Sequence, residues 1–178
     1  MADINTDSAP PATASPELDG RARPPIWDLI ELLFFAYRDF VSDPDQVLSK
    51  LGFGRAHHRV LHFVNRNPGM KVAELLGILK ITKQSLGRVL KQLIDDGYVV
   101  QQEGDRDRRQ RLLFVTVKGE ALAMKLANLQ TDRIGRALET LGPDSHDTAR
   151  KFLIALIDDD SRAAVLRFID RAERARRS

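Results

Sequence analysis

The 178-residue sequence contains no cysteine. This absence excludes disulfide bridges, thiolate zinc sites, iron–sulfur clusters, cysteine nucleophiles and sensing by thiol oxidation. No apolar run approaches the ~20 residues of a membrane-spanning helix. The N-terminus also lacks the basic stretch and apolar run of a secretory signal. With 43% hydrophobic and 30% charged residues, the composition predicts one soluble domain in the cytoplasm.

Signatures of an enzyme are missing as well. There is no Gly-rich phosphate loop and no Gly-x-Ser-x-Gly motif, and no convincing constellation of carboxylates or of Ser with His. The acidic run at residues 158–160 is better suited to capping or interrupting a helix than to binding a cation. We therefore expect no catalysis, no cofactor and no metal ion.

The net charge of +3 is unevenly distributed. Residues 71–118 hold ten Lys and Arg against six Asp and Glu, whereas residues 26–70 hold five of each kind. A localised positive field is what a polyanionic partner needs, although a solvated helix surface gives the same excess.

The ends of the chain differ in character from its centre. Residues 1–25 are rich in Pro and small residues and predict a flexible tail. From Ile26 to about Val41 the pattern predicts a helix that is apolar on more than one face, so either a second subunit or the core of a monomer must cover it. Pro44 is expected to end this helix, within a polar connection that completes the segment 26–53.

Residues 54–117 show a distinctive order of elements. Three helices are predicted, over 55–65, 71–80 and about 82–96, with Thr82 as N-cap and Gly97 as the stop of the third. Two strands, 98–102 and 112–117, flank a charged loop at 103–110. This order predicts a winged helix-turn-helix, in which the third helix enters the DNA major groove and the loop approaches the minor groove.

Residues 118–178 again predict helices. The first runs to about Leu141 and is ended by Gly142-Pro143, Asp144 caps the next, and an apolar patch follows at 165–169. The predicted fold is thus mostly α with a small β-hairpin wing, and a helical dimerisation region is contributed by both ends of the chain.

The third helix separates two sets of side chains. Leu86, Val89, Leu90 and Leu93 form one stripe suited to burial, and the opposite side is polar. Gln can pair with adenine and Arg with guanine, whereas Lys suits phosphates. The exposed glycine at position 87 would allow a closer approach of backbone to DNA. The expected DNA-binding residues are Thr82, Lys83, Gln84, Ser85, Arg88, Lys91, Arg106 and Arg108, and ordinary solvent exposure is the alternative.

The loop at 103–110 mixes acids with arginines. We expect Asp107 to pair with a neighbouring arginine, Arg109 above all, and so to stiffen the wing. Arg106 and Arg108 then remain available for a narrow minor groove, where the potential is most negative. A flexible charged turn without a partner is the alternative.

These segments resemble the MarR family of bacterial transcriptional regulators. The resemblance lies in residues 81–90, Leu93 with residues 97–99, and residues 107–109 and 115–119, and it covers about residues 26–170. Tyr98 replaces the usual Leu, and Val115 precedes Thr116 where the family has Leu. The resemblance implies an obligate homodimer formed by the first and last helices. It also implies that Arg88 is the recognition-helix arginine and Arg108 the minor-groove arginine.

The resemblance further implies, less specifically, a small-molecule pocket between the dimerisation helices and the DNA-binding lobe. Some members of the family sense thiol oxidation, which the absence of cysteine excludes here. His57, His58 and His62 fall on the helix that borders this pocket. His58 and His62 have the i, i+4 spacing of two metal ligands, but two histidines make only half a zinc site. We expect His58 or His62 to line the pocket; packing near the dimer interface, or a pH effect on dimer geometry, are the alternatives.

The leading interpretation is a dimeric, sequence-specific DNA-binding regulator, a repressor relieved by a small-molecule effector. Its operator should be an inverted repeat of double-stranded DNA with half-site centres about 10 bp apart. The alternative is a winged-helix module that docks on protein without specific DNA binding.

Overall fold

The computed structural model describes residues 24–104 and 110–177 of the chain. They form seven helices and three short strands in the described part: α1 Trp27–Ser49, α2 Arg55–Arg66, β1 Met70–Lys71, α3 Val72–Leu79, α4 Lys83–Asp95, β2 Val99–Glu103, β3 Arg111–Val115, α5 Val117–Leu141, α6 Ser145–Ala155 and α7 Asp159–Arg177. No helix among these residues is both long enough and apolar enough to cross a membrane.

Residues 55–115 form a central lobe with the winged helix-turn-helix order that the sequence predicts. The three strands make one antiparallel sheet in the order β1-β3-β2, in which Met70 pairs with Leu113 and Val99 with Val115. Strand β1 was not predicted, because two residues are too few to show an alternating pattern.

The core of the central lobe is built from aliphatic side chains of every helix that surrounds it. These side chains are fully or almost fully buried, and they include Leu48, Val60, Leu61, Val64, Leu75, Leu86, Leu93, Val99, Leu113 and Leu126. Because Leu48 comes from α1 and Leu126 from α5, both long helices are fixed to the lobe at one end by burial of apolar area.

The prediction that Pro44 ends the first helix is wrong. Helix α1 continues through Pro44 to Ser49, and its buried residues Val41, Pro44 and Leu48 lie on one face. The fixed φ of proline is compatible with a helix. Proline has no N–H to donate to a carbonyl of the preceding turn, and this missing hydrogen bond destabilises the helix. The buried stripe that Pro44 shares with Val41 and Leu48 offsets this cost.

The alternative that the first helix forms the core of a monomer is also wrong. Its apolar residues from Ile26 to Tyr37 are exposed in the isolated chain, with Trp27 at 64% and Phe34 at 69%. Among the described residues, the buried side chains of α1 lie from Val41 onward.

The C-terminal region consists of α5, α6 and α7. Thr116 is the N-cap of α5, and its side chain accepts a hydrogen bond from the Gly119 amide. Asp144 holds the N-cap position of α6 as predicted, but its side chain accepts no hydrogen bond there. The acidic run begins α7, since the amides of Ser161 and Arg162 donate to the Asp158 carbonyl at 3.0 and 2.9 Å.

Helix α7 returns to the central lobe. The Phe168 ring lies 5.9 Å from the Phe63 ring, and Glu173 lies 3.8 Å from Arg66 of α2. Its start is fixed by Arg162, whose guanidinium donates to the Ile154 and Ala155 carbonyls at the end of α6 and to the Ile157 carbonyl, just beyond it, at 2.7 Å. Arg162 thus serves as a C-terminal cap of α6, where the last carbonyls lack the amide of a following turn.

Candidate nucleic-acid interface and ligand cavity

Helix α4 begins as the sequence predicts. The Thr82 side chain accepts a hydrogen bond from the Ser85 amide at 3.1 Å, and the hydroxyls of the two residues lie 2.9 Å apart. Lys80 adopts the left-handed conformation, with φ of 49°, and this makes the short turn between α3 and α4. The two hydroxyls are thus committed to the helix start, which leaves Thr82 and Ser85 with less capacity for DNA than the sequence suggested.

Helix α4 has one buried face and one exposed face, as expected. Leu86, Val89, Leu90 and Leu93 are buried against the core. The exposed residues on the other side are Lys83, Gln84, Ser85, Gly87, Arg88 and Lys91. Within the described part of the chain, Lys83, Gln84 and Arg88 have no side-chain hydrogen bond or ion pair, whereas Lys91 pairs with Asp95 at 2.5 Å. The face therefore presents two uncommitted cations and one uncommitted amide.

The base of the wing is an ordered ladder. The Arg111 guanidinium donates to the Glu103 carboxylate at 2.8 Å, and the Gly104 amide donates to the Gln110 carbonyl at 3.0 Å. The predicted wing residues Arg106, Asp107, Arg108 and Arg109 lie outside the described residues. Their assigned roles stay predictions.

Contacts that sequence reasoning missed hold the C-terminal end of α4. The Thr116 hydroxyl donates to the Gly97 carbonyl at 2.7 Å, and Lys118 Nζ donates to the Asp96 carbonyl at 2.8 Å and lies 4.1 Å from the centre of the Tyr98 ring. Gly119 lies so close that a Cβ there would be 1.9 Å from the Tyr98 oxygen. The motif at 115–119 therefore joins the end of α4 to the start of α5; the resemblance marked this motif, but only the fold shows its partners.

His57 has a structural role that the sequence did not reveal. Its Nδ1 accepts a hydrogen bond from the Gly54 amide at 3.1 Å, and its Nε2 lies 2.9 Å from Oε1 of Gln92 on α4. Because Nδ1 is the acceptor, the ring hydrogen belongs on Nε2, which donates to Gln92. The Phe53 ring stacks on the imidazole at 4.8 Å. His57 thus ties the start of α2 to α4 and is not a ligand of the cavity.

His58, which follows His57 in the chain, lines a cavity of about 270 Å³. This cavity lies between α1 and α2, with α5 at its side, and both His58 and His62 line it. The other lining residues are Tyr37, Phe40, Val41, Arg55, Arg59, Phe63 and Gln130. No carboxylate lines the cavity among the residues that the structure describes.

The two arginines that line the cavity also form hydrogen bonds outside it. Arg55 donates to the Asp45 carboxylate at 2.9 Å, and Arg59 donates to the Leu79 carbonyl at 3.4 Å, just before the turn that leads to α4. Burial lowers the pKa of His58, and Asp45 opposes this shift. The pKa of His62 is lowered by desolvation of its ring and by the charges of His58 and Arg66, although the residue as a whole is exposed in the isolated chain.

Within the described residues, no cluster of three or more His, Asp or Glu has the geometry of a metal site. His58 and His62 share a helix face but acquire no third ligand there.

Comparison with known proteins identifies the family. A model of the MarR family matches residues 51–110, the central lobe and the base of the wing. The HTH-type transcriptional regulator PetP of Rhodobacter capsulatus is 47% identical over 129 residues, which are 72% of this chain and 78% of that protein. The chain belongs to the MarR family. It is a transcriptional regulator of the helix-turn-helix type, and this membership supports the prediction that the chain is not an enzyme.

Solved structures of MarR-family proteins share the fold. A mutant MarR of E. coli in complex with operator DNA is 22% identical, covers 74% of this chain and 94% of its own, and superposes with a TM-score of 0.58. NadR in complex with 4-hydroxyphenylacetate is 20% identical, covers 79% of this chain and 96% of its own, and has a TM-score of 0.62. At these identities the likeness establishes the winged-helix architecture.

Proposed function

We propose that this MarR-family regulator is a cytoplasmic homodimer that binds an inverted-repeat operator and acts as a repressor relieved by a small-molecule effector. Helix α4 enters the major groove, and the wing, residues 103–110, enters the adjacent minor groove. The observation that carries the proposal is the exposed face of α4, where the side chains of Lys83, Gln84 and Arg88 make no hydrogen bond or ion pair with other described residues.

The chemistry of this face suits DNA. The fork of Arg88 matches guanine O6 and N7, and the amide of Gln84 matches adenine. Lys83 suits a phosphate, which positions the helix without reading the sequence. Lys91 must exchange Asp95 for a phosphate, and this exchange reduces its net contribution. The MarR–operator complex, which shares this fold, is consistent with such docking.

Dimerisation follows from the apolar surface at both ends of the chain. Exposed large side chains cover most of α1 up to Tyr37 and recur in α6, where Leu153 is 58% exposed. Patches of this extent on a monomer mark an association surface. A second copy of the chain covers both ends at once and sets two α4 helices about one DNA turn apart.

The single tryptophan reports on this association. Trp27 is exposed in the isolated chain and becomes covered in the proposed dimer. Dilution should therefore shift its fluorescence to the red as dimers dissociate, and light scattering should give the mass of two chains at high concentration. A single-chain mass at all concentrations would contradict the dimer.

The proposal that the protein binds a specific DNA sequence is tested by selecting bound genomic fragments with purified protein. Wild type should enrich an inverted repeat with half-site centres about 10 bp apart. Arg88→Ala should weaken operator binding by about 1–3 kcal/mol and relax specificity, whereas Lys91→Ala should weaken all sequences alike. If Arg88→Ala binds the operator like wild type, the assignment of the recognition residue is wrong. Arg108→Ala tests the wing in the same assay.

A protein-docking module is the competing function. DNA affinity that falls linearly with the logarithm of salt concentration favours the regulator, because released counterions drive binding to phosphates. No enriched sequence at moderate salt would favour the docking module.

The effector site is assigned to the cavity between α1 and α2. Its volume suits a small ligand, and Arg59 connects it to the Leu79 carbonyl beside the turn before α4. The NadR complex provides a precedent for a small aromatic acid on this fold. If His58→Ala and His62→Ala leave every effector response intact, the assignment is wrong.

A further inference from the structure

We propose that the cavity between α1 and α2 binds a small organic anion together with a proton, and that His58, assisted by His62, takes up that proton. This inference rests on the effector site proposed above. It adds that the regulator responds to its ligand more strongly as the pH falls.

The first observation is the state of His58. His58 is buried, with 8% of the residue exposed, and yet no hydrogen bond joins its side chain to any described residue. Among those residues, Arg133 Nε is the one fully enclosed side-chain polar atom without a partner. The nitrogens of His58 are therefore not sealed off, and the cavity that His58 lines provides their access. A buried imidazole without a protein partner is suited to a ligand that supplies one.

The second observation is the sign of the charges around the cavity. Positive or protonatable side chains line it on α2, namely Arg55, His58, Arg59 and His62, whereas α5 contributes the uncharged Gln130 and α1 contributes the phenol of Tyr37. The acidic group whose charge acts on His58 is Asp45 of α1, and its carboxylate is paired with Arg55 at 2.9 Å. A cation is disfavoured in this setting, and a carboxylate or similar anion is favoured.

The third observation explains why a proton accompanies the anion. Burial lowers the pKa of His58, so the free protein holds this ring neutral at neutral pH. Burial is also the main cause that lowers the pKa of His62, and the nearby His58 and Arg66 act in the same direction. An anion placed in the cavity favours the charged imidazole and raises these pKa values again. At a pH between the lowered and the raised pKa, binding of the anion takes up a proton. The affinity for the anion must therefore increase as the pH falls.

The shape of the cavity limits the ligand to a small one. Its 270 Å³ lies just below the range of drug-sized sites. Phe40, Val41 and Phe63 supply apolar walls, which suit a single ring that carries the acid group. Benzoate and benzamide are matched probes, because they share ring and shape and differ in charge.

The test is calorimetric titration of the full-length protein with benzoate. Heats are compared in two buffers of different ionisation enthalpy, which counts the protons taken up by the wild type without any substitution. We expect net proton uptake near neutral pH and an affinity for benzoate that falls as the pH rises through this range. Benzamide should show neither effect. Benzoate binding without proton uptake, equal binding of benzamide, or no benzoate binding at millimolar concentration would each overturn the proposal.

Substitutions of single histidines identify the residue that takes up the proton when benzoate binds. His58→Gln keeps hydrogen-bonding capacity without titrating near neutrality, so benzoate binding should become weaker and nearly independent of pH. His62→Gln should flatten the pH dependence in part. His146→Gln, at an exposed position of α6, is the matched control and should behave like wild type. A His58→Gln protein that folds, by circular dichroism, and keeps the wild-type pH slope would refute the role of His58.

Operator binding separates this inference from the effector function. If benzoate binds with a proton but does not change affinity for the selected operator, the inference stands and the effector assignment fails. If another compound releases the operator while benzoate does not bind, the effector function stands and the inference fails.

Discussion

Replacing Gly119 by alanine tests how tightly α5 is joined to the end of α4. An alanine Cβ at this position would lie 1.9 Å from the Tyr98 carbonyl oxygen and 2.9 Å from its carbon, whereas real Cβ contacts do not fall below 3.0 Å. The backbone must therefore separate by more than 1 Å. The same carbonyl accepts hydrogen bonds from the Thr116 amide at 3.0 Å and from the Thr116 hydroxyl at 3.4 Å, and both would stretch.

The magnitude follows from these two effects. Overpacking costs about 1–3 kcal/mol, and each weakened hydrogen bond costs about 0.5–1.5 kcal/mol. The helix propensity of alanine returns less than about 1 kcal/mol at this first turn of α5. We expect a net loss of about 3 kcal/mol in the free energy of unfolding, which corresponds to a Tm about 6–12 °C lower for a chain of this size.

The assay is thermal and urea unfolding at one fixed protein concentration, because the proposed dimerisation would couple stability to concentration. Gly77→Ala is the matched control: position 77 is exposed in α3, and nothing lies within 4 Å of the added Cβ. It should gain up to about 1 kcal/mol and raise the Tm by a few degrees. If Gly119→Ala were as stable as wild type, the close approach to Tyr98 would be refuted. Its operator affinity should also fall, since the end of α4 loses its fixed position.

Three further predictions concern single side chains. Thr82→Ala removes the N-cap of α4 and should cost about 1 kcal/mol in urea unfolding, whereas Thr82→Ser should behave like wild type. Asp43→Asn weakens the 2.8 Å ion pair with half-buried Arg133 and should cost about 1–2 kcal/mol, an effect that high salt should reduce; equal unfolding midpoints would contradict it. Because the folded-state pKa of His58 is lowered, wild type should lose stability as the pH falls below about 6.5, and an unchanged acid sensitivity of His58→Gln would argue against this source.

Helix α4 shows how much of the structure sequence patterns can predict. The stripe of Leu86, Val89, Leu90 and Leu93 predicted the buried face, and the structure confirms it. The Thr82 cap was also predicted correctly, since an N-cap depends on residues three positions apart. Burial pattern and capping are local properties of a helix, so the sequence contains them in full.

The contacts of His57 and Lys118 could not be predicted from sequence patterns. His57 bonds to Gln92, which lies 35 positions away, and Lys118 bonds to the Asp96 carbonyl, 22 positions away. Neither partner could be chosen from composition or spacing. The three histidines looked equivalent in the sequence, yet His57 ties α2 to α4 while His58 and His62 line the cavity.

The sequence by itself determined the order of the elements apart from strand β1, the amphipathic faces, the exclusion of thiol chemistry and the resemblance to the MarR family. These follow from local periodicity, capping and composition, which act over a few neighbouring residues. The tertiary structure decided that α1 continues through Pro44, that Gly119 meets Tyr98, and that a buried imidazole without a hydrogen-bond partner among the described residues faces a cavity. Each of these depends on which distant segments pack together, and packing overrides local preference wherever buried area offsets the local cost.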